Sequence, residues 1–134
     1  TDPAILDAGD IDSTAVTIRT KRGRLCQINT TRRAAYGYDQ RFEVLGNDGM
    51  LQAGNVRPTE VVAYSAKAVS SDVPEAFFLE RYRAAYASEI AHFLDAVTQG
   101  APVRTTIADG VKALELAEAA TKSWREGRVV NIDE

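Results

Sequence analysis

The chain has 134 residues, of which 45% are hydrophobic and 26% charged, so we expect one globular domain with a single hydrophobic core. That length is too short for a cofactor domain plus a substrate domain. The net charge of -3 gives no electrostatic reason to propose nucleic acid or an anionic membrane surface as a partner, and no apolar run approaches the roughly 18 residues of a membrane span.

The single cysteine, Cys26, excludes an intrachain disulfide. It lies between Leu25 and Ile28 in a predicted strand, so we expect a buried, unreactive thiol and a reducing, cytoplasmic location. The first residues, TDPAILDAGDID, lack the basic and apolar regions of a signal peptide and are typical of the middle of a longer polypeptide.

The first predicted element is a β-hairpin over residues 11–30. Residues 11–19 alternate loosely and carry Thr, Val and Ile, which suits a half-buried strand. Gly23 and its charged neighbours supply a turn, and residues 25–30 run back.

The segment that follows, NTTRRAAYGYDQRFEVLGNDGM over residues 29–50, has a polar and aromatic tip. The tip consists of Arg32, Arg33, Tyr36 and Tyr38 around Gly37. Arginine and phenol groups can hydrogen-bond a polyhydroxylated ligand, and glycine lets the backbone approach closely. Tyr and Arg are equally favoured in subunit interfaces. The residues alone therefore predict either a ligand-binding surface or a subunit contact.

Three more strands are predicted beyond the tip. Residues 38–46 alternate, with Tyr38, Gln40, Phe42 and Val44 on one face. Asn47, Asp48 and Gly49 tolerate the positive φ of a tight turn, and residues 50–54 return as a short strand. Residues 59–69 are rich in Val and Tyr and predict one further strand.

The hydrophobic period then changes from two to about 3.6 residues, which predicts two helices. The first covers residues 78–97 and ends before Gly100 and Pro102. The second starts at Thr106, which has the spacing of a capping box with Asp109, and stops at Gly127. Residues 128–132 favour a last short strand.

Strands followed by helices predict an α+β fold, an open and predominantly antiparallel sheet with helices on one face. The other face is then left without a cover inside the chain. Phe42, Val44, Leu45 and Val62 make the sheet too apolar for both of its faces to be solvated. We therefore expect this face to pair with another subunit.

The sequence contains no GxGxxG, Walker or GxSxG motif, so it offers no phosphate-binding loop or nucleophile elbow. His92, the only histidine, is interpreted as structural because it has no neighbouring metal ligand. Asp7, Asp10 and Asp12 lack the other ligands of a calcium loop and favour a solvated loop. No metal site is predicted.

Three segments resemble a known family: RRAAYGYDQRFEVLGNDGM, FFLERYRAAYASEIAHFLDAV and DGVKALELAEAATKSWREGRVV. They are similar to the C-terminal half of the glucose-fructose oxidoreductase, inositol dehydrogenase and rhizopine-catabolism (Gfo/Idh/MocA) family. The pattern DGxxALxLAxAAxxS marks the family in general, and YGYDQR points to its inositol dehydrogenase branch. The resemblance covers nearly the whole chain.

The resemblance implies that residues 1–134 form the C-terminal substrate-binding and oligomerisation domain of a two-domain oxidoreductase. NAD, or NADP, would be bound by an N-terminal Rossmann domain that this chain lacks. The implied partners are inositol or a similar polyol, the Rossmann domain, and other subunits in a homodimer or homotetramer built through the open sheet face. Two alternatives stay open: a family member acting on another sugar or polyol, and a non-catalytic sheet-mediated dimerisation module.

The resemblance also implies the site residues. Tyr36 and Tyr38 match a YGY pair that lines the polyol pocket of inositol dehydrogenases, and Arg33 lies beside them. The family's catalytic groups are a lysine in a Glu-Lys-Pro motif and an aspartate and histidine four residues apart. None is found here, since His92 has Ser88 four residues before it. We expect no catalytic and no cofactor-binding residue in this chain, which alone would be inactive.

Overall fold

The computed structural model describes residues 2–132. Within them lie four helices and six strands: α1 Pro3–Asp7, β1 Ser13–Arg19, β2 Leu25–Thr31, β3 Phe42–Gly46, β4 Gly49–Ala53, β5 Val62–Tyr64, β6 Val69–Ser71, α2 Phe78–Arg81, α3 Arg83–Gln99 and α4 Ile107–Glu126. Helices and antiparallel strand pairs make this an α+β fold, as predicted.

The chain divides into two compact units. One contains the residues up to Thr14 together with Asn29–Ser88, and the other contains Ala15–Ile28 together with the residues from Glu89 onward. The tyrosine-containing tip belongs entirely to the first unit, and α4 belongs to the second.

The described strands pair two at a time, as β1 with β2, β3 with β4 and β5 with β6, where a single open sheet was expected. Two side-chain hydrogen bonds lie at the edge of the β5–β6 hairpin. The Nη1 atom of Arg57 donates to the Oγ of Ser71 at 3.2 Å, and the Oγ1 of Thr59 donates to the Oδ2 of Asp72 at 2.5 Å.

The first hairpin, β1–β2, is confirmed. The turn is closed by Gly23 N donating to the Thr20 carbonyl at 2.8 Å, with Gly23 at a φ of +79°. At the other end the hydroxyls of Ser13 and Thr31 are 3.3 Å apart, a cross-strand threonine–serine contact of the kind that stabilises antiparallel pairs. The expectation of a buried Cys26 is wrong, because the thiol is exposed on β2.

The second hairpin, β3–β4, begins later than predicted. Its register pairs Phe42 with Ala53 and Gly46 with Gly49, which leaves a two-residue turn. Residues 38–41 lie outside the strand because the backbone N–H of Gln40 donates to the side chain of Asn55 at 2.8 Å. Positive φ falls on Gly49 at the end of this turn, and in the described residues it occurs at glycines alone.

The single strand predicted over residues 59–69 is wrong, because the chain turns within it to form β5 and β6. The turn is built around Ser65, whose N–H donates to the Ala68 carbonyl at 3.0 Å. The hydroxyl of Ser65 also accepts from Ala68 N at 3.1 Å. A serine hydroxyl that bonds to backbone two or three residues away is a typical turn device.

The helices follow the prediction with one interruption. The segment predicted as a single helix over residues 78–97 is α2 and α3, separated at Tyr82, which has φ −102° and ψ 8°. Helix α4 has the predicted capping box of Thr106 and Asp109 and ends at Gly127 in the left-handed conformation. The strand predicted over residues 128–132 is absent from the described part of the chain, and α1 was not predicted.

No hydrophobic side chain of the described residues is fully buried, so the expected core is not found among them. An isolated two-stranded hairpin cannot bury the side chains of both its faces. The apolar residues of β3 are accordingly exposed, from Val44 at 53% to Leu45 at 81%. None of the described helices combines the length and the apolar character that crossing a bilayer requires.

Candidate functional site

The backbone of the tip is held against the segment that contains Pro74 and Glu75. Tyr38 N donates to the Glu75 carbonyl at 2.7 Å, and Glu75 N donates in turn to the Val56 carbonyl at 3.0 Å. Gly37 has a φ of +128°, and a Cβ built on it would lie 2.6 Å from the Pro74 carbonyl oxygen. Only glycine fits this close approach without displacing backbone.

An open cleft lies where these two segments meet. Its volume is about 280 Å³, just below the range of about 300–1,000 Å³ that is usual for small-molecule sites. It is lined by Ala34, Ala35, Tyr36, Gly37, Val73, Pro74 and Ala76. Six of the seven lining residues have small or apolar side chains, and the seventh is Tyr36.

The hydroxyl of Tyr36 is fixed by a carboxylate. It donates to the Oδ2 of Asp39, which also accepts from the Nη2 of Arg41 at 2.8 Å. The Oδ1 of Asp39 accepts from the Nε of Arg41 at 2.7 Å and from the Nδ2 of Asn55 at 2.8 Å. These bonds, led by that of Arg41, hold the pKa of Asp39 well below its usual range. The bond to Asp39 raises the pKa of Tyr36.

The second tyrosine of the tip, Tyr38, begins a row of aromatic side chains. Its ring meets that of Tyr82 edge to face at a centroid distance of 5.6 Å, and Tyr82 meets Tyr86 at 6.1 Å. A side-chain hydrogen bond with Tyr38 raises the pKa of Tyr82. The guanidinium of Arg81 lies 5.6 Å from the centre of the Tyr82 ring.

The two arginines of the tip are paired with carboxylates near the start of the chain. The Nη2 of Arg33 lies 2.5 Å from the Oδ2 of Asp2, and the Nη2 of Arg32 lies 3.3 Å from the Oδ2 of Asp10. Of the three predicted site residues, Tyr36 lines the cleft and Tyr38 begins the aromatic row. The third, Arg33, is paired with Asp2.

The remaining polar candidates have local roles. The Nε2 of His92 accepts from Arg104 N at 3.1 Å, which secures the loop before α4 and agrees with a structural role. Asp12 accepts from Asp2 N at 2.8 Å, and this bond lowers the pKa of Asp12. Within residues 2–132, no three histidine, cysteine or carboxylate side chains are grouped so as to hold a metal ion.

A family model described as the C-terminal alpha/beta domain of an oxidoreductase family, Gfo/Idh/MocA, matches residues 2–132. The chain belongs to this family. The predicted membership is thereby confirmed over nearly the whole sequence.

Relatives in the Gfo/Idh/MocA family carry inositol dehydrogenase names. The chain is 42% identical over 131 residues to an inositol 2-dehydrogenase from Rhizobium meliloti, covering 98% of this chain and 40% of the relative. It is 44% identical over 133 residues to a myo-inositol 2-dehydrogenase from Thermotoga maritima, covering 99% and 40%. A scyllo-inositol 2-dehydrogenase (NAD(+)) from Bacillus subtilis is 34% identical over 132 residues, with 98% and 38% covered.

A solved structure supports the fold of this Gfo/Idh/MocA domain. The crystal structure of a myo-inositol dehydrogenase from Corynebacterium glutamicum matches with a TM-score of 0.90 and 42% identity, covering 97% of this chain and 39% of that one. The chain thus spans about 40% of the length of the relatives it matches.

Three residues of the site were missed at the sequence level. Asp39 fell on the opposite face from Tyr38 in a strand that begins only at Phe42, so its contact with Tyr36 was not foreseen. Asn55 is 16 residues from Asp39 in sequence, and no local pattern links them. Tyr82 lies inside the helix predicted over residues 78–97, and its position within the FFLERYR segment could have drawn attention to it.

Proposed function

We propose that this chain is the substrate-side and oligomerisation domain of an NAD-dependent dehydrogenase that oxidises a ring hydroxyl of inositol, with myo-inositol as the best candidate. The observation that carries the proposal is the tip itself. Tyr36 and Tyr38 are separated by Gly37, whose backbone lies too close to the Pro74 carbonyl for a residue with a side chain. Tyr36 also lines an open cleft. The names of relatives at 42–44% identity support the choice of substrate.

The tyrosines would bind and orient the polyol. Phenol hydroxyls can exchange hydrogen bonds with ring hydroxyls, and the rings can pack on the C–H faces of a cyclohexane polyol. Hydride transfer requires the reacting carbon to be held at the correct distance and angle, and this orientation supplies a large part of the rate. The nicotinamide ring, when bound, accepts the hydride. The choice of NAD is supported by the name of the Bacillus subtilis relative.

The coenzyme and the catalytic groups are assigned by this proposal to an N-terminal Rossmann domain of the same polypeptide. No residue of the present chain is given a catalytic role. Arg33 stays a neighbour of the proposed pocket, but its guanidinium would have to leave Asp2 before it could reach a polyol. A cytoplasmic location is also part of the proposal, because a single cysteine suits a reducing compartment.

The proposal is tested on the full-length polypeptide with NAD and myo-inositol. We expect coenzyme reduction, followed spectroscopically. Replacing Tyr38 with phenylalanine should raise the KM for myo-inositol by about tenfold and change the KM for NAD by less than about twofold, because the proposal assigns the Tyr38 hydroxyl to the polyol and the coenzyme to another domain. Tyr36→Phe should act in the same direction.

Tyr64→Phe is the matched control, since Tyr64 is a strongly exposed tyrosine on β5, outside the tip. It should leave both KM values unchanged. An unaltered KM for myo-inositol in both tip variants would show that the pocket assignment is wrong. A panel that includes scyllo-inositol and simple sugars separates the myo-inositol hypothesis from that of a sibling enzyme with another polyol substrate.

A further inference from the structure

The carboxylate of Asp39 stands out among the polar groups of the tip. Its side chain is only 16% exposed, and it accepts four hydrogen bonds from Tyr36, Arg41 and Asn55. Four bonds fill the usual acceptor capacity of a carboxylate. Asp39 therefore has no capacity left for a ligand, and whatever it does for the site it does through the residues it holds.

The network ties the tip to the base of the β3–β4 hairpin. Arg41 immediately precedes β3, and Asn55 follows β4 by two residues. The amide of Asn55 has a defined orientation, since its Nδ2 donates to Asp39 and its Oδ1 accepts from Gln40 N. Reversing that amide would set an oxygen against the carboxylate. Asp39 is thus fixed from two sides of a regular hairpin.

We propose that Asp39 is a positioning residue that holds the Tyr36 hydroxyl as a hydrogen-bond donor, so that Tyr36 presents only acceptor lone pairs to a polyol hydroxyl in the cleft. An ionised carboxylate can only accept, so the hydrogen of the Tyr36 hydroxyl is committed to Asp39. A ligand hydroxyl can donate to the remaining lone pairs, and a carbonyl or ether oxygen at the same position cannot. The inference rests on the proposed function and names the hydrogen-bond polarity of that pocket.

The protonation states agree with this arrangement. The pKa of Asp39 is held low by Arg41, and the pKa of Tyr36 is raised by Asp39, so the carboxylate is charged and the phenol neutral at neutral pH. Arg41 acts in the opposite sense on the phenol, because its positive charge lowers the pKa of Tyr36. Asp39 therefore raises the pKa of Tyr36, and Arg41 lowers it.

The first experiment is a double-mutant cycle in the full-length protein. Asp39→Asn should raise the KM for myo-inositol by about tenfold, with the KM for NAD changed by less than about twofold. In a Tyr36→Phe background the same change should add little, because Asp39 acts through the lost hydroxyl. Glu43→Gln is the matched control, a carboxylate-to-amide change on β3 whose contact is with Gln52.

The second experiment uses the pH dependence of the KM for myo-inositol. Ionisation of Tyr36 removes the hydrogen that bonds it to residue 39 and so releases the ring from its position, which should raise the KM at alkaline pH. Asp39→Asn removes the charge that raises the pKa of Tyr36, so this rise should begin at a lower pH than in the wild type. Arg41→Gln should move it to a higher pH. The Arg41 side chain is 64% exposed, so this variant should fold even if Asp39→Asn does not. A role limited to stabilising the fold would not give opposite shifts.

The inference is overturned if the Asp39→Asn effect on KM is absent, or if it is equally large in the Tyr36→Phe background. It is also overturned if Arg41→Gln shifts the alkaline rise to a lower pH or leaves it in place. A different result marks failure of the proposed function: a wild-type protein that does not reduce NAD with any inositol. The two failures are therefore distinguishable in the same set of assays.

Discussion

At the scale of single residues, Gly37 sets the geometry of the tip. Its φ of +128° is poorly accessible to residues with a side chain, and an added Cβ would lie 2.6 Å and 3.1 Å from the carbonyl oxygens of Pro74 and Glu75. Backbone atoms cannot move aside as a flexible side chain can. We expect Gly37→Ala to cost about 1–3 kcal/mol of unfolding free energy and to weaken polyol binding, measured by urea unfolding and by KM for myo-inositol.

Gly54 supplies the control for this substitution. A Cβ added there would meet no atom within 4 Å, and its φ lies outside the positive range. Gly54→Ala should therefore leave the KM unchanged and the free energy of unfolding equal or slightly higher, because alanine restricts the unfolded chain. Equal stability and equal KM in both alanine variants would contradict the close approach at Gly37.

The residues of the tip show what sequence can and cannot predict. Tyr36, Gly37 and Tyr38 were selected as candidates because a polar aromatic cluster around a glycine is visible in the sequence itself. Asp39 was missed as a partner because regular alternation assigned it to the opposite face of a strand that is not formed there. Contacts such as that between Asp39 and Asn55 depend on a hairpin bringing distant residues together, and no local period encodes them.

At the scale of elements, the N-terminus of α4 is fixed by a reciprocal capping box. Thr106 Oγ1 accepts from Asp109 N at 3.3 Å, and the Asp109 carboxylate accepts from Thr106 N at 2.7 Å. These bonds lower the pKa of Asp109. Because the box satisfies donors that a helix end leaves unpaired, Thr106→Ala should reduce the unfolding free energy by about 1 kcal/mol, seen as a lower midpoint in urea followed by circular dichroism.

Thr105→Ala is the control for the cap, since Thr105 precedes the cap position by one residue. It should change the midpoint little. If both variants lower the midpoint equally, the loss comes from β-branched threonine in the loop and not from the capping box.

Elements whose ends carry a recognisable local motif were predicted, and those whose turn or break has no such motif were not. The capping box and the left-handed Gly127 are local, so α4 was found at both ends. The β5–β6 hairpin was taken for one strand because its turn depends on the Ser65 hydroxyl, which alternation does not register. The break at Tyr82 was missed for a similar reason, because the apolar spacing continues across it.

At the scale of the whole molecule, the described residues leave their apolar faces exposed. The register of β3 and β4 puts Phe42 opposite Ala53 and Val44 opposite Leu51, so one face of this hairpin is apolar throughout. The other face carries Glu43 bonded to Gln52, next to the apolar pair Leu45 and Met50. Composition predicted a core for 134 residues, but the family relatives are about two and a half times longer, and in the proposed function a Rossmann domain and other subunits would cover part of the exposed apolar surface.

The apolar face of β3–β4 is the surface proposed for subunit association, and a charge placed on it tests that proposal. Leu51 is 71% exposed on this face, and Gln52 lies next to it on the opposite one. In the full-length protein, Leu51→Lys should convert a dimer or tetramer to smaller species, measured by light scattering, because an unpaired charge cannot be buried cheaply in an interface. Gln52→Lys adds the same charge beside Glu43 and should leave the assembly intact. An unchanged mass in the Leu51 variant would show that assembly does not use this face. A monomeric wild type would show that assembly does not occur at all.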